Sequence, residues 1–139
     1  MFVRNIGIVV VSATLAACTA QPKTQSEQQM LARQTLLPMF EILDCTDEGH
    51  LEAGEIAEHI SQIFLPFDRD RSRSLSPTEF SRASRFSDAA LAKSGFSMSD
   101  ANADGAVSSQ EFSGYLERLI DVLDADSNGE LTLAELQAN

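Results

Sequence analysis

The chain has few basic residues and few cysteines. Its 139 residues contain 21 Asp and Glu against 10 Lys and Arg, so the formal net charge is −11. Such an excess of acid argues against nucleic acid as a partner, because phosphate backbones are bound by basic surfaces. It suits a protein that collects cations. The two cysteines, Cys18 and Cys45, are too few for a disulfide framework.

The sequence also lacks the patterns of common catalytic and zinc sites. No G-x-S-x-G motif is present, and no other motif supports a Ser-His-Asp or Cys-His mechanism, so we expect no enzyme activity. The two histidines, His50 and His59, are nine residues apart. They have no Cys or carboxylate frame typical of zinc, and we expect both to be solvated surface residues.

No apolar run reaches the length of about 20 residues that a membrane-spanning helix requires. A short run, residues 6–11, follows Arg4 and ends in Leu15-Ala16-Ala17-Cys18. This pattern is typical of a signal peptide, which we expect over residues 1–17. Residues 18–29 are then predicted to form a flexible tether after Cys18, and residues 30–139 the folded domain. Ser26 and Gln29 have the spacing of a capping box, so a first helix is expected to begin there.

The tetrapeptide ending at Cys18 resembles the lipobox of bacterial lipoproteins. The resemblance implies a diacylglycerol thioether on Cys18, further acylation with chains such as palmitate, and membrane association through this anchor. It places the protein in the bacterial cell envelope, and Thr19 after the cysteine favours the outer membrane of a Gram-negative host. The alternative is an ordinary secretory signal in which Cys18 has no role.

Four acidic segments of twelve residues, 44–55, 68–79, 100–111 and 124–135, each begin with Asp and end with Glu. We refer to them as loops one to four. Each carries an aliphatic residue at its eighth position and an apolar residue both four positions before the loop and directly after it. These apolar spacings are typical of helices that flank a loop. The sequence therefore predicts an all-α fold built from helix–loop–helix repeats.

The distances between the loops predict how the loops pair. Only residues 56–67 separate loops one and two, and only 112–123 separate loops three and four. Each such segment has room for a single helix shared by two loops. Loops at opposite ends of one helix cannot lie side by side, so we expect loop two to pair with loop three and loop one with loop four. The competing arrangement, one with two and three with four, requires broken shared helices, and only the first has a breaker, Pro66.

From residue 40 onward the chain resembles the EF-hand family. In that family, loop positions 1, 3, 5 and 12 bind Ca²⁺ through side chains and position 7 through its carbonyl oxygen, with position 9 often acting through water. The resemblance implies ligands in loop three at Asp100, Asn102, Asp104, Ala106, Ser108 and Glu111. In loop four it implies Asp124, Asp126, Asn128, Glu130, Thr132 and Glu135.

Loops one and two depart from the family pattern. The ligands implied for loop two are Asp68, Asp70, Ser72, Ser74, Ser76 and Glu79, but Arg73 replaces the usual glycine, and Arg69 and Arg71 add positive charge. We expect weaker binding there. Loop one offers Asp44, Thr46, Glu48 and Glu55, and two interpretations remain open, a working site and a degenerate structural loop. Mg²⁺ suits these loops less than Ca²⁺, because it prefers octahedral sites rich in water.

These observations predict a calcium-binding protein tethered to a membrane, acting as a sensor or buffer. The alternative is a structural or adaptor protein whose fold Ca²⁺ merely stabilises. The sequence does not identify a protein partner. Cys45, at the second position of loop one, is interpreted as a tolerated small residue.

Overall fold

The computed structural model describes residues 24–86 and 88–138. The predicted signal peptide and Cys18 lie outside the described residues, as do residues 19–23 of the predicted tether. The helices are α1 (Gln25–Leu36), α2 (Phe40–Leu43), α3 (Ala53–Phe64), α4 (Pro77–Ala83), α5 (Ala89–Ser99), α6 (Ser109–Leu123) and α7 (Leu133–Gln137). The strands are β1 (His50–Glu52), β2 (Ser74–Leu75), β3 (Val107–Ser108) and β4 (Glu130–Thr132).

The first helix begins earlier than the Ser26 capping box predicts. Thr24 is the N-cap residue, its hydroxyl accepts a hydrogen bond from the N–H of Glu27, and the Glu27 carboxylate accepts one from the N–H of Thr24. The prediction at Ser26 was wrong because a competing box with a charged third residue lies two positions upstream. An ionised carboxylate at a helix N-terminus is stabilised more than an amide. Residues 25–29, assigned to the tether, are therefore helical.

Pro38 interrupts the first helix as its position predicts. A 3₁₀ turn, Leu37–Met39, separates α1 from α2, because proline supplies no N–H and its ring clashes with the preceding turn of an α-helix. The bend lets both pieces bury apolar side chains. Leu36 and Met39 before loop one are almost fully buried, as is Leu43 at the end of α2.

The four loops pair in the cyclic arrangement that their spacing predicts. Strand β1 pairs antiparallel with β4, and Leu51 lies opposite Leu131. Strand β2 pairs antiparallel with β3, and Leu75 lies opposite Val107. Helices α3 and α6 are each continuous between two loops, and Pro66 follows the end of α3 rather than breaking it. Loops one and four therefore meet at one end of these helices, and loops two and three at the other.

The core is centred on α6, which packs against α3 on one side and α1 on another. Phe112 and Tyr115 of α6 are fully buried. Phe80 contacts both rings, with centroids 6.2 Å from Phe112 and 5.6 Å from Tyr115. The Tyr115 hydroxyl lies 3.3 Å from the Thr35 hydroxyl of α1, so the phenol satisfies its polar end inside the core. Within the described residues, no helix is long and apolar enough to cross a membrane.

Gly95 of α5 permits the close approach of α5 to this aromatic cluster. A Cβ atom at Gly95 would lie 2.9 Å from the Tyr115 hydroxyl oxygen and 3.3 Å from rings of Phe80 and Phe86. The hydroxyl is held by its contact with Thr35 and cannot retreat freely. By contrast, a Cβ atom at Gly114 of α6 would meet nothing within 4 Å.

Gly95→Ala is expected to destabilise the protein and Gly114→Ala to stabilise it. Both changes improve helix propensity by about 1 kcal/mol, but overpacking at Gly95 costs about 1–3 kcal/mol. Urea unfolding at a fixed calcium concentration measures both variants against the parent chain. Equal stabilisation by the two substitutions would show that the cluster around Tyr115 is not tightly packed.

Candidate metal centres

The four loops share one backbone conformation, including a feature that the sequence does not signal. The sixth residue has a positive φ in every loop, from +68° at Arg73 to +86° at Gly129. The fourth residue is also left-handed, although none is glycine: Asp47, Arg71, Ala103 and Ser127, with φ between +56° and +59°. At Arg73 this conformation costs about 1–2 kcal/mol relative to the right-handed one. Glycine at the equivalent positions of the other loops avoids this cost.

The opening aspartate organises each turn in the same way. In loop three, the two carboxylate oxygens of Asp100 accept hydrogen bonds from the N–H groups of Asp104 (3.1 Å) and Gly105 (2.9 Å). Asp44, Asp68 and Asp124 make the equivalent pair of bonds in the other loops. These two bonds fold the loop backbone around the carboxylate. The carboxylate oxygens keep lone pairs that could bind a metal ion, because an ionised carboxylate has about four acceptor sites.

The closing glutamate is fixed by a reciprocal capping box in loops two, three and four. In loop two, the N–H of Ser76 donates to Glu79 Oε2 at 3.0 Å and its hydroxyl at 2.7 Å, while the N–H of Glu79 donates back to the hydroxyl. The other oxygen, Oε1, accepts from the N–H of Arg69 at 2.9 Å. The same box joins Ser108 to Glu111 and Thr132 to Glu135. These bonds hold each glutamate across its loop.

The carboxylates converge most clearly in loops two and four. Oxygens of Asp68, Asp70 and Glu79 lie within 4.8 Å of one another, as do oxygens of Asp124, Asp126 and Glu135. In loop three the third position is Asn102, whose oxygen belongs to an amide and accepts from the N–H of Asp104 at 2.8 Å. An arrangement of several oxygens around one point fits Ca²⁺, which takes six to eight oxygen ligands.

The remaining predicted ligands lie on the same turns. The Asn128 amide oxygen accepts from the N–H of Glu130 at 2.8 Å, and Asp104 Oδ1 accepts from the N–H of Ala106 at 2.9 Å. In loop two the Ser72 hydroxyl donates to the carbonyl oxygen of Ser74 at 2.9 Å. The fifth and seventh positions are thereby brought together in these three loops.

Loop one differs from the others at its closing end. Its ninth residue is Glu52, which has no hydroxyl donor, and the capping box is lost. One oxygen of Glu55, Oε1, is buried without a hydrogen-bond partner. Among the described residues, Asp44, Glu48 and Glu55 do not form one of the three-residue groups whose ligand atoms converge. The Glu48 carboxylate lies instead beside His50, 3.6 Å from its Nε2 atom.

The expectation that His50 has no carboxylate frame was wrong. Oxygens of Glu48 and Glu52 and a nitrogen of His50 lie within 4.8 Å of one another. The sequence contains a usable signal: residues two apart on a strand share a face, and His50 and Glu52 are both in β1. His59 is half-buried on α3 and belongs to no such group in the part of the chain that is described.

Hydrogen bonds to the loop carboxylates favour their charged forms. The N–H and hydroxyl of Ser76, with the N–H groups of Asp70 and Arg69, lower the pKa of Glu79 from 4.5 to about 2. The N–H of Gly129 contributes most to the lowered pKa of Asp124. Equivalent bonds from the ninth residue lower the pKa values of two further closing glutamates, Glu111 and Glu135. Donors to the ionised form account for this direction, against the opposing effect of desolvation.

Comparison with known proteins gives one match. The family model described as EF hand matches residues 92–114, which span most of α5, loop three and the start of α6. Comparisons with curated proteins and with solved structures gave no match. The match supports an EF-hand calcium-binding assignment for loop three. Together with the acidic groups of loops two and four, it indicates metal binding.

Glu79 is expected to make the calcium-free protein sensitive to acid. Its folded-state pKa lies below the unfolded value, so its stabilising contribution is complete above about pH 4.5 and is lost as the pH falls toward 2. Glu79→Gln removes this contribution and should flatten the decrease in unfolding free energy across that range. Urea unfolding in EDTA at several pH values tests it, with Glu58→Gln on the exposed side of α3 as the control. Identical acid profiles for the parent and Glu79→Gln would contradict the assignment.

Proposed function

We propose that the protein binds Ca²⁺ as a membrane-tethered lipoprotein, with loops three and four as its strongest sites. The observation that carries this proposal is the shared loop architecture, in which oxygens at positions 1, 3 and 12 face one another in loop four and loop three matches the EF-hand model. Ca²⁺ would be held by Asp100, Asn102, Asp104, Ala106 and Glu111 in loop three. In loop four the ligands are Asp124, Asp126, Asn128, Glu130 and Glu135.

Charge and backbone strain rank loop two below these two, and the loss of the capping box ranks loop one last. Loop two contains three arginines and three carboxylates, so its formal charge is zero, whereas loop four contains four carboxylates and no basic residue. A neutral loop attracts a divalent cation less, and Arg73 also holds a left-handed φ of +68°. Its ligands would be Asp68, Asp70, Ser72, Ser74 and Glu79. Loop one has Thr46 at its third position and no capping box to hold Glu55, whose Oε1 atom is buried without a hydrogen-bond partner, so we rank it last.

Calcium binding is expected to stabilise the fold. An empty loop holds like charges close together, and a bound cation removes that repulsion. Because loops pair across the two ladders, occupation of loop four also supports β1 of loop one. This favours a role in which bound Ca²⁺ stabilises the domain. A sensor or buffer role requires in addition that the ion be exchanged, and a sensor must expose apolar surface on loading.

Titration calorimetry with Ca²⁺ is expected to show binding that Glu111→Gln and Glu135→Gln each reduce by one site. The closing glutamate contributes both of its oxygens to the ion in such loops. Calcium at a hundredfold excess over Kd should raise the unfolding free energy by about 2.7 kcal/mol for each independent site that it fills. Glu58→Gln is the matched control and should bind as the parent does.

Absence of heat, with the same melting temperature in EDTA and in calcium, would refute calcium binding. An apolar dye added during the titration separates the two roles. Increased dye fluorescence on loading indicates a sensor, whereas a higher melting temperature without a dye response indicates a structural role for Ca²⁺.

The lipoprotein part of the proposal rests on the sequence ending at Cys18, which lies outside the described residues. Buried acyl chains contribute about 0.8 kcal/mol per CH₂, so several chains would anchor the domain stably. The chain has a second cysteine, Cys45, which is exposed in loop one. It provides an internal control for acylation.

Cys18→Ser is expected to abolish incorporation of labelled palmitate and to release the protein from the membrane fraction of a bacterial host. Cys45→Ser should leave both unchanged, since its thiol is not at the end of the signal-like segment. Retention of the label by Cys18→Ser, or its loss from Cys45→Ser, would overturn the lipoprotein assignment while leaving the calcium proposal untouched.

A further inference from the structure

The imidazole of His50 lies between two carboxylates at the edge of the β1–β4 ladder. Its Nε2 atom is 3.3 Å from Glu52 Oε1 and 3.6 Å from Glu48 Oε2. The side chain of His50 is 20% exposed, and those of Glu48 and Glu52 are 59% and 48% exposed. The three groups are therefore held together and are also open to an ion arriving from solvent.

The separations between these atoms are close to those of ligands around a small tetrahedral ion. Zn²⁺ binds imidazole nitrogen at about 2.0–2.1 Å and carboxylate oxygen at about 2.0–2.2 Å, so a nitrogen and an oxygen at adjacent tetrahedral positions lie roughly 3.3–3.5 Å apart. The Glu52 oxygen, 3.3 Å from Nε2, falls in that interval, and the Glu48 oxygen, at 3.6 Å, lies just outside it. A protonated imidazole also attracts both carboxylates, and the Zn²⁺ titration described below separates that explanation from metal binding.

The charges around the imidazole also favour a cation. Glu52 of β1 lies directly opposite Glu130 of β4 in the ladder, and like charges at such positions destabilise a strand pair. Glu48 brings a third carboxylate to the same edge. A divalent ion bound there would offset this repulsion, whereas a single imidazole carries at most one positive charge.

We propose that His50, Glu48 and Glu52, all in loop one, form a site for a divalent transition metal ion such as Zn²⁺, distinct from the oxygen-only sites of loops two, three and four. His50 Nε2 and one oxygen from each glutamate are the protein ligands, and solvent completes the coordination. Imidazole selects against Ca²⁺ and Mg²⁺, which take oxygen ligands, and in favour of Zn²⁺ or Cu²⁺. The proposal does not depend on calcium binding.

The test is a Zn²⁺ titration of the full chain in millimolar Ca²⁺, at a mildly alkaline pH where the imidazole is neutral. Excess Ca²⁺ occupies the oxygen-only loops, so the remaining Zn²⁺ binding reports on sites containing nitrogen or sulfur. His50→Ala is expected to weaken Zn²⁺ binding by at least about tenfold, because even indirect partners of metal ligands contribute 10–100-fold. His59→Ala removes the other histidine and should bind as the parent does.

Further variants distinguish this site from Zn²⁺ binding elsewhere in the chain. Glu52→Gln should weaken Zn²⁺ binding while Glu58→Gln does not, and Cys45→Ser should have no effect because the thiol is not a ligand. His50→Ala should bind Ca²⁺ as tightly as the parent at loop four, which shows that the variant is folded. Undiminished Zn²⁺ binding in His50→Ala, or equal losses in His50→Ala and His59→Ala, would overturn the proposal.

Discussion

The opening carboxylate of each loop fixes the shape on which the other features of the structure depend. Two adjacent N–H groups, from the fifth and sixth residues, donate to its two oxygens in all four loops. This pair of bonds needs a left-handed residue at the sixth position, which is why glycine recurs there. The turn then delivers the eighth residue into a short strand and the ninth to the N-cap of the next helix. Metal ligands and strand pairing thus follow from one local interaction.

The pairing of the loops couples sites that are far apart in the sequence. Helices α3 and α6 each join two loops. Because α6 is one continuous helix between loops three and four, a change in its tilt would move both loops together. The two strand pairs connect the loops in the other direction, because β1 of loop one pairs with β4 of loop four and β2 of loop two pairs with β3 of loop three. All four loops are therefore linked, either by a shared helix or by a strand pair. Leu51, Leu75, Val107 and Leu131 are fully buried between the loops and the core. A cation bound in one loop would therefore affect its partner through a packed apolar contact, in addition to any effect of charge.

Much of this arrangement could be predicted from spacing, because spacing limits where a helix fits. Twelve residues between loops permit one helix, and one helix separates its two loops. The pairing of Leu51 with Leu131 follows from that argument. The helix start at Thr24 could have been favoured over Ser26 from the sequence, because the partner three residues later is the ionised Glu27 rather than the amide Gln29. The left-handed fourth residues were missed because Asp47, Arg71, Ala103 and Ser127 share no side-chain property that signals a positive φ.

The four loops are distinguished by the charges that accompany the same backbone conformation. Loop two has as many arginines as carboxylates and buries Asp68 and Glu79 to 6% and 7% exposure, and backbone N–H groups donate hydrogen bonds to both carboxylates. Loop one is the opposite case, since its five acids are accompanied only by His50. Its ninth residue, Glu52, has no hydroxyl to complete a capping box, and the Glu52 carboxylate lies beside the imidazole of His50 instead. Glu52 at that position leaves Glu55 without the capping-box bonds of the other closing glutamates, and it adds one carboxylate to the proposed ligands around His50.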